Sequence, residues 1–321
     1  MRARNCVYSR TEAVNSIAPV SPLQTAAIFS PAKLNLFLAV TGRRGDGYHD
    51  LVSIVVPLDF GDQLVAEIAG RTPDNGRQFS LECDDPEVPL DDTNLILRAA
   101  EAFAATTGWK KPVTFRLKKR IPVGAGLGGG SSNATAALKA LNQLGGARLG
   151  QAELCELAAG IGSDCPLFLE NGPVIMRGRG ERIEALTGRA VQRLRGHPVL
   201  VFKPSFGVST AWAYQQIAAG TPQSYLPAPE AERRVAMFTD GATEIDALLF
   251  NNLEAVIFRK FIALPVLLAL LRTRFGLAAG MSGSGSACFA LLPSHAPTPE
   301  IIAAIRAAWG PACFVQAATI A

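Results

Sequence analysis

"IPVGAGLGGGSSNATAALKALNQL", residues 121–144, puts five glycines into the seven positions 124–130, adds two serines, and then reads as a helix. Glycine loses more conformational entropy on folding than any other residue, so such a run marks a place where bare backbone is needed. The preceding stretch "PVTFRLKKRIPV" alternates and reads as a strand. Strand, glycine turn and helix N-terminus together offer free N–H groups and the positive end of a helix dipole to an anion, most often phosphate. Lys118, Lys119 and Arg120 add formal charge just ahead of the turn. The plainer alternative is a flexible turn capped by Ser131. Five glycines, two hydroxyls and a basic triplet together weigh against it.

"GAGLGG", 124–129, fits G-x-G-x-x-G, a weak signal alone. A dinucleotide fold needs a strand soon after the helix. Here a second helix, "QAELCELAAGIG", follows. A Walker loop ends in Gly-Lys-Ser/Thr, whereas this one ends Gly130-Ser131-Ser132. A protein kinase places its glycine loop ahead of DFG. The "DFG" at 59–61 lies upstream and no HRD exists, so it is read as a strand end and a turn glycine.

Outward from the loop, "AIFSPAKLNLFLAV", "LVSIVVPLDF" and "DQLVAEIA" read as separate strands. "TNLILRAAEAFAATTG" is a helix with Thr93 at its N-cap and Gly108 as its stop. Past the hairpin-like "VIMRGRGERIEAL", a strand "HPVLVFKPS" leads to a helix capped by Ser209. A polar, Pro-rich loop, helices around 245–275, a strand "GSACFALL", a helix begun by Thr298 and Pro299, and a strand "CFVQAATI" complete the chain. The pattern is α+β with two domains, 27–187 and 188–321. Residues 1–26 are an extension expected to be disordered. They lack the apolar core of a secretory signal but contain Arg and Ser, which leaves a transit segment open. Deleting residues 1–24 is expected to leave activity intact.

A chain of 321 residues accommodates two domains. Its 49% hydrophobic and 18% charged residues exclude global disorder. "FIALPVLLALL", 261–271, is too short to cross a bilayer and contains Pro265, so no membrane partner is expected. Cysteines 6, 83, 155, 165, 288 and 313 show neither CxxC spacing nor nearby histidines, so a reducing, cytoplasmic setting is expected. A net charge of +4 suits an anionic small molecule. Basic clusters at 118–120, 177–182 and 189–195 raise a nucleic-acid-binding alternative, but aromatics are only 7% and are not interleaved with them.

The phosphate loop resembles that of the GHMP small-molecule kinases, P-x-G-x-G-L-G-S/G-S-S-x-A, here "PVGAGLGGGSSNA" at 122–134. "PAKLNL", 31–36, and "MSGSGSACFAL", 281–291, resemble that family's N- and C-terminal motifs in the same order. The likeness covers nearly the whole chain from about Ala27. It implies a ribosomal-protein-S5-domain-2-like N-terminal domain and a ferredoxin-like C-terminal one. It also implies ATP-dependent phosphorylation of a small alcohol, with Mg²⁺. "TGRRGDGYHDL", 41–51, and "GSDCPLFL", 162–169, are similar to one branch, which phosphorylates a tertiary hydroxyl of cytidine diphosphate methylerythritol in isoprenoid synthesis. That branch commonly has R-x-D-G-Y-H-E-L; Gly45 and Asp50 depart slightly, and neither change is expected to abolish activity. Another small alcohol is the alternative within the fold.

The resemblance implies roles residue by residue. Asp164 is the catalytic base and Lys33 its partner, with Asn35 orienting substrate. Tyr48 and His49, on a D-G turn, and Tyr214 meet the cytosine; Thr210 is a weaker correspondence. Gly124, Ala125, Gly126, Leu127, Gly128, Gly129, Gly130, Ser131 and Ser132 take the phosphates of ATP. Pro122, Asn133, Asn94, Leu95 and Lys119 lie around them, and Gly283, Ser284 and Gly285 close the site from the second domain. Ser131 and Asp164 are both available as metal ligands, and the sequence does not choose between them. Gly126 and Gly128 are expected to tolerate no side chain, an exchange lowering ATP affinity with little change in melting temperature.

Overall fold

The computed structural model describes residues 24–69, 77–220 and 224–321. Most of the expected extension therefore lies outside the described residues, and the first strand already begins at Thr25. In chain order the first part contains β1 (Thr25–Arg43), β2 (His49–Ile68), β3 (Phe79–Cys83), α1 (Leu95–Thr107), β4 (Val113–Lys118), α2 (Gly129–Leu144), α3 (Gln151–Ile161), a 3₁₀ turn (Pro166–Leu169), β5 (Val174–Gly178) and β6 (Arg182–Ala185). Then come α4 (Gly188–Leu194), β7 (Pro198–Lys203), α5 (Thr210–Ala219), α6 (Ala228–Thr239), α7 (Ile245–Leu248), β8 (Phe250–Asn251) and α8 (Glu254–Lys260). The chain ends with α9 (Ala263–Phe275), β9 (Ala279–Met281), β10 (Cys288–Leu291), α10 (Thr298–Trp309) and β11 (Phe314–Thr319).

The first sheet runs β3-β4-β2-β1-β8, with β5 also paired to β2 and β6 to β5. The two segments read as separate strands are one, β2, 20 residues long. Its C-terminal half pairs with β4 and its N-terminal half with β5. Gly61, read as a turn residue, lies inside β2 opposite Pro31. A Cβ there would stand 2.3 Å from the carbonyl oxygen of Ser30, so the glycine permits a close backbone crossing rather than a reversal.

The second sheet runs β11-β7-β10-β9, every neighbour antiparallel. Numbered within that sheet, the order is 4-1-3-2, the ferredoxin-like arrangement the resemblance implied. The boundary near 187 is not clean: β8 pairs with β1, and one apolar cluster runs from Leu34 and Phe37 of the first sheet to Val199 and Phe289 of the second and Phe238 of α6. α6 itself lies in residues read as loop, because its Pro, Glu and Arg content hides an apolar face of Ala231, Val235 and Phe238. Two helix starts also shift by one residue. Asn94 rather than Thr93 caps α1, its side chain accepting from the Ile96 amide at 2.9 Å, while the Thr93 hydroxyl is turned to Asp91. Pro297 precedes α10. Ser209 caps α5 as expected.

Between the sheet and the glycine loop lies a carboxylate with no solvent exposure, Asp62. It accepts from the Lys119 ammonium at 2.7 Å, the amides of Arg120 at 2.6 Å and Ile121 at 2.8 Å, and the Asn133 side chain at 2.9 Å. A buried charge is tolerated only when paired and fully hydrogen-bonded, and Asp62 meets both conditions. Asp62→Ala would strand the Lys119 ammonium in a dry site. The expected loss is about 3–5 kcal/mol of unfolding free energy, read from the urea midpoint. A loss below about 1 kcal/mol would mean that Lys119 simply swings to solvent.

Candidate active site

Gly128, at φ 74°, caps α2 and supplies no side-chain cap hydrogen bond. The free N–H groups of the first turn therefore face a cavity of about 350 Å³. Every nucleotide residue expected in the first domain lines it except Ser132, which is buried below and accepts from the Ser30 hydroxyl at 2.8 Å. Lys119 reaches the wall, but its charge is already paired with Asp62. The positive field at the loop thus comes mainly from the helix end and backbone amides. In the other basic clusters two arginines are spent internally: Arg177 pairs with Glu184 and Glu232, and Arg193 with Glu244.

Lys33 is buried in β1 and donates to Asn35 Oδ1 at 2.5 Å; its ammonium stands 4.0 Å from the Asp164 carboxylate. Burial pushes the Lys33 pKa down, and the Asp164 charge opposes that shift. Asp164 remains 40% exposed, so it can meet a ligand that Lys33 can reach only from beneath. Asn35 is buried and spends its amide on Lys33 and on Ser53 at 2.9 Å, lining neither large cavity.

A second, larger cleft of about 780 Å³ runs from Asp164 to the D-G-Y-H turn. It brings together Tyr48, His49, Thr210 and Tyr214, all four expected there. His49 and Tyr214 form a pair with ring centroids 5.1 Å apart. Tyr48 is 54% exposed and faces Arg179, not Tyr214. Among the described residues His49 Nε2 is buried without a partner, and burial together with Arg43 lowers its pKa, so the neutral ring keeps a hydrogen-bonding site for a ligand. Burial first, then the Asp164 charge, raises the Tyr214 pKa and keeps its hydroxyl neutral.

The second glycine loop meets Lys33 rather than the cavity wall. A Cβ on Gly283 would lie 3.3 Å from Lys33 Nζ, and the Ser284 hydroxyl shares a 2.7 Å hydrogen bond with Thr210. Residues missed in the sequence hold this loop. Asn251 donates to the carbonyls of Met281 at 2.9 Å and Gly283 at 2.8 Å, and Glu254 accepts from the Met281 amide at 2.8 Å. Burial raises the Glu254 pKa. Thr135, one turn along α2 from Ser131, donates to the Cys165 carbonyl at 2.7 Å, and Lys139 to that of Phe168 at 2.5 Å. The Asp164 segment is thereby fastened to the helix that begins at the phosphate loop.

Among the described residues no group of three or more His, Cys, Asp or Glu could hold a metal by itself. The chain's hard-oxygen donors here are the Ser131 hydroxyl and the Asp164 carboxylate. The Cys165 thiol feels both: Ser131 by a hydrogen bond, Asp164 by its charge. That is the sparse donor set suited to a magnesium ion held largely by phosphates and water.

The expectation for Gly126 changes. A Cβ there would lie 2.4 Å from the Ser282 carbonyl oxygen, at φ +76°. The glycine permits the contact between the two loops, so a side chain should harm stability as well as nucleotide binding. Gly126→Ala should cost about 3 kcal/mol, from the left-handed backbone plus overpacking. Gly124→Ala, at φ +62° with nothing within 4 Å, should cost only about 1 kcal/mol. Thermal melts with and without ATP check the pair; equal losses would remove the loop contact from the explanation.

Comparison with known proteins agrees with this geometry. Models described as GHMP kinases N terminal domain and GHMP kinases C terminal match residues 94–172 and 231–314. The 4-diphosphocytidyl-2-C-methyl-D-erythritol kinase of Methylacidiphilum infernorum (isolate V4) is 35% identical over 292 residues, covering 90% of this chain and 94% of that one. A crystal structure of 4-(cytidine 5'-diphospho)-2C-methyl-D-erythritol kinase superposes with a TM-score of 0.72 at 33% identity, over 92% of this chain and 100% of that one. Homoserine kinase from Cytophaga hutchinsonii ATCC 33406 shares the fold, with a TM-score of 0.68 at 16% identity over 98% of each chain. Two motif-bearing loops joined through Gly126, a carboxylate held beside Lys33, and likeness along almost the full length lead to one assignment: the chain belongs to the GHMP kinases, in the family of the 4-diphosphocytidyl-2-C-methyl-D-erythritol kinases.

Proposed function

We propose that the chain transfers the terminal phosphoryl group of ATP to the 2-hydroxyl of 4-diphosphocytidyl-2-C-methyl-D-erythritol. One observation carries the reading. Asp164 lies both in the cleft lined by His49 and Tyr214 and within 4.0 Å of Lys33, whose side chain packs under Gly128 of the phosphate loop. A single carboxylate therefore stands where an aromatic-lined acceptor cleft meets a phosphate cradle.

The chemistry follows from that placement. Asp164 takes the proton of the 2-hydroxyl as its oxygen bonds to the γ-phosphorus. The bond from that phosphorus to the bridging oxygen breaks, and ADP leaves. The Lys33 ammonium, fixed by Asn35, lies beside the charge that develops on the transferring group. The α2 N-terminus and loop amides hold the donor phosphates in line, and positioning of this kind supplies most of the catalysis in phosphoryl transfer. Mg²⁺, held by nucleotide phosphates with Ser131 or Asp164, would neutralise phosphate charge. Stacking against Tyr214 and Tyr48 supplies affinity, and His49 supplies the hydrogen bond that selects the base.

A coupled ADP-release assay on a panel of alcohols tests the assignment. Turnover with the cytidine substrate and not with homoserine or mevalonate is expected; turnover with another alcohol alone would refute it. Asp164→Asn should fold and bind ATP normally while kcat drops about 10²–10⁴-fold. Near wild-type turnover at saturating substrate would remove Asp164 from the base role. Tyr214→Ala and Tyr48→Ala should each raise KM for the cytidine substrate about tenfold, from ~1–3 kcal/mol of stacking, leaving KM for ATP unchanged. A rise confined to the ATP KM would move this cleft to the donor side.

A further inference from the structure

Resting on that reading of the cleft, we propose that Arg179 binds the substrate's diphosphate and so carries the distinction between a cytidine diphosphate alcohol and a cytidine compound without phosphate. Arg179 follows β5 and lines the cleft, its guanidinium 4.9 Å from the centre of the Tyr48 ring. The adjoining Gly180 approaches the other functional end: a Cβ there would lie 3.6 Å from the carbonyl oxygen of Ser163, the residue before Asp164. Arg179 thus stands between the ring platform and the base. A diphosphate linking a stacked cytosine to a hydroxyl at Asp164 must cross that interval.

The surrounding charges support the assignment. Arg44 is engaged by Asp46 and Asp50, and Arg177 by Glu184 and Glu232. The nearby acid Glu181 accepts from the Arg179 amide at 2.6 Å, which fixes the turn. Asp46 feels the Arg179 charge but already accepts from Arg44 and from the Tyr48 amide. Among the described residues, no carboxylate lies within ion-pair distance of the Arg179 guanidinium. Among the described residues Arg43 and Arg179 are the only cations lining the cleft, and Asp164 its only acid. Arg43 sits towards the ring end, where its charge acts on His49 and Tyr225. A diphosphate bound near Asp164 would be repelled by that carboxylate. An unpaired guanidinium offsets the repulsion and matches phosphate oxygens with paired N–H donors.

The test compares CDP with cytidine by calorimetric titration of the wild type and of Arg179→Met, which keeps an apolar stem against Tyr48 and removes the charge. The wild type should bind CDP more tightly than cytidine. Arg179→Met should lose at least tenfold in CDP affinity, keep cytidine affinity within about twofold, and raise KM for the full substrate with kcat changed less; Arg179→Lys should recover part of the loss. Equal losses for both ligands would assign Arg179 to support of the Tyr48 ring and overturn the inference. Unchanged CDP binding would overturn it as well. A wild type that binds neither compound would overturn the cytidine reading of the cleft, and this inference with it.

Discussion

The site depends on one carboxylate kept from water. Asp62 satisfies the cation of Lys119, two amides at the start of the glycine loop and an amide side chain in the first turn of α2. Loops rich in glycine have little side-chain packing to hold them, and their entropy opposes a single conformation. A buried charge with four donors fixes the loop from below, leaving its upper face bare for phosphate. Asn133 joins the cluster to Ser30 at 2.8 Å, so β1, β2 and α2 share one polar knot.

The second constraint is backbone against backbone. Ala287 donates to Ala125 at 3.1 Å, and the Ser282 hydroxyl to Gly126 at 3.2 Å, so the two glycine loops are joined directly. Asn251 and Glu254 brace the far side of the second loop. Burial of Glu254 is compensated by a backbone hydrogen bond and by the Arg272 charge. Lys33 and Asn35 occupy the seam, one polar pair supporting both halves.

Much of this was legible in the chain because it is local. The glycine run is contiguous and reads as an anion cradle from its own residues, whereas the D-G-Y-H and G-S-D-C-P turns drew their expected roles from the family resemblance. The polar knot was not legible: Asp62 and Asn133 are 71 positions apart, and nothing near either names the other. Asn251 lay in a stretch read only as helical, and its partners are 30 and 32 positions later. The role of Gly61 was hidden for the same reason, since the carbonyl it must avoid belongs to another strand. Lys119 was read as charge for phosphate because its counter-ion lay on a strand read without partners. Arg179 was seen only as part of a basic run; its position beside Tyr48 emerges when β5 folds next to β2.

Helix α2 acts as a gauge block. Its first turn forms the phosphate cradle, and Thr135 and Lys139 clamp the segment that carries Asp164 to its flank. The separation between the α2 N-terminus and Asp164 is therefore set by one helix. The acceptor cleft is built differently: Tyr48 and Asp164 come from the first sheet and its helices, Thr210 and Tyr214 from α5 beside the second sheet. A change in the spacing of the two halves would alter the width of that cleft and leave the spacing from the α2 N-terminus to Asp164 unchanged.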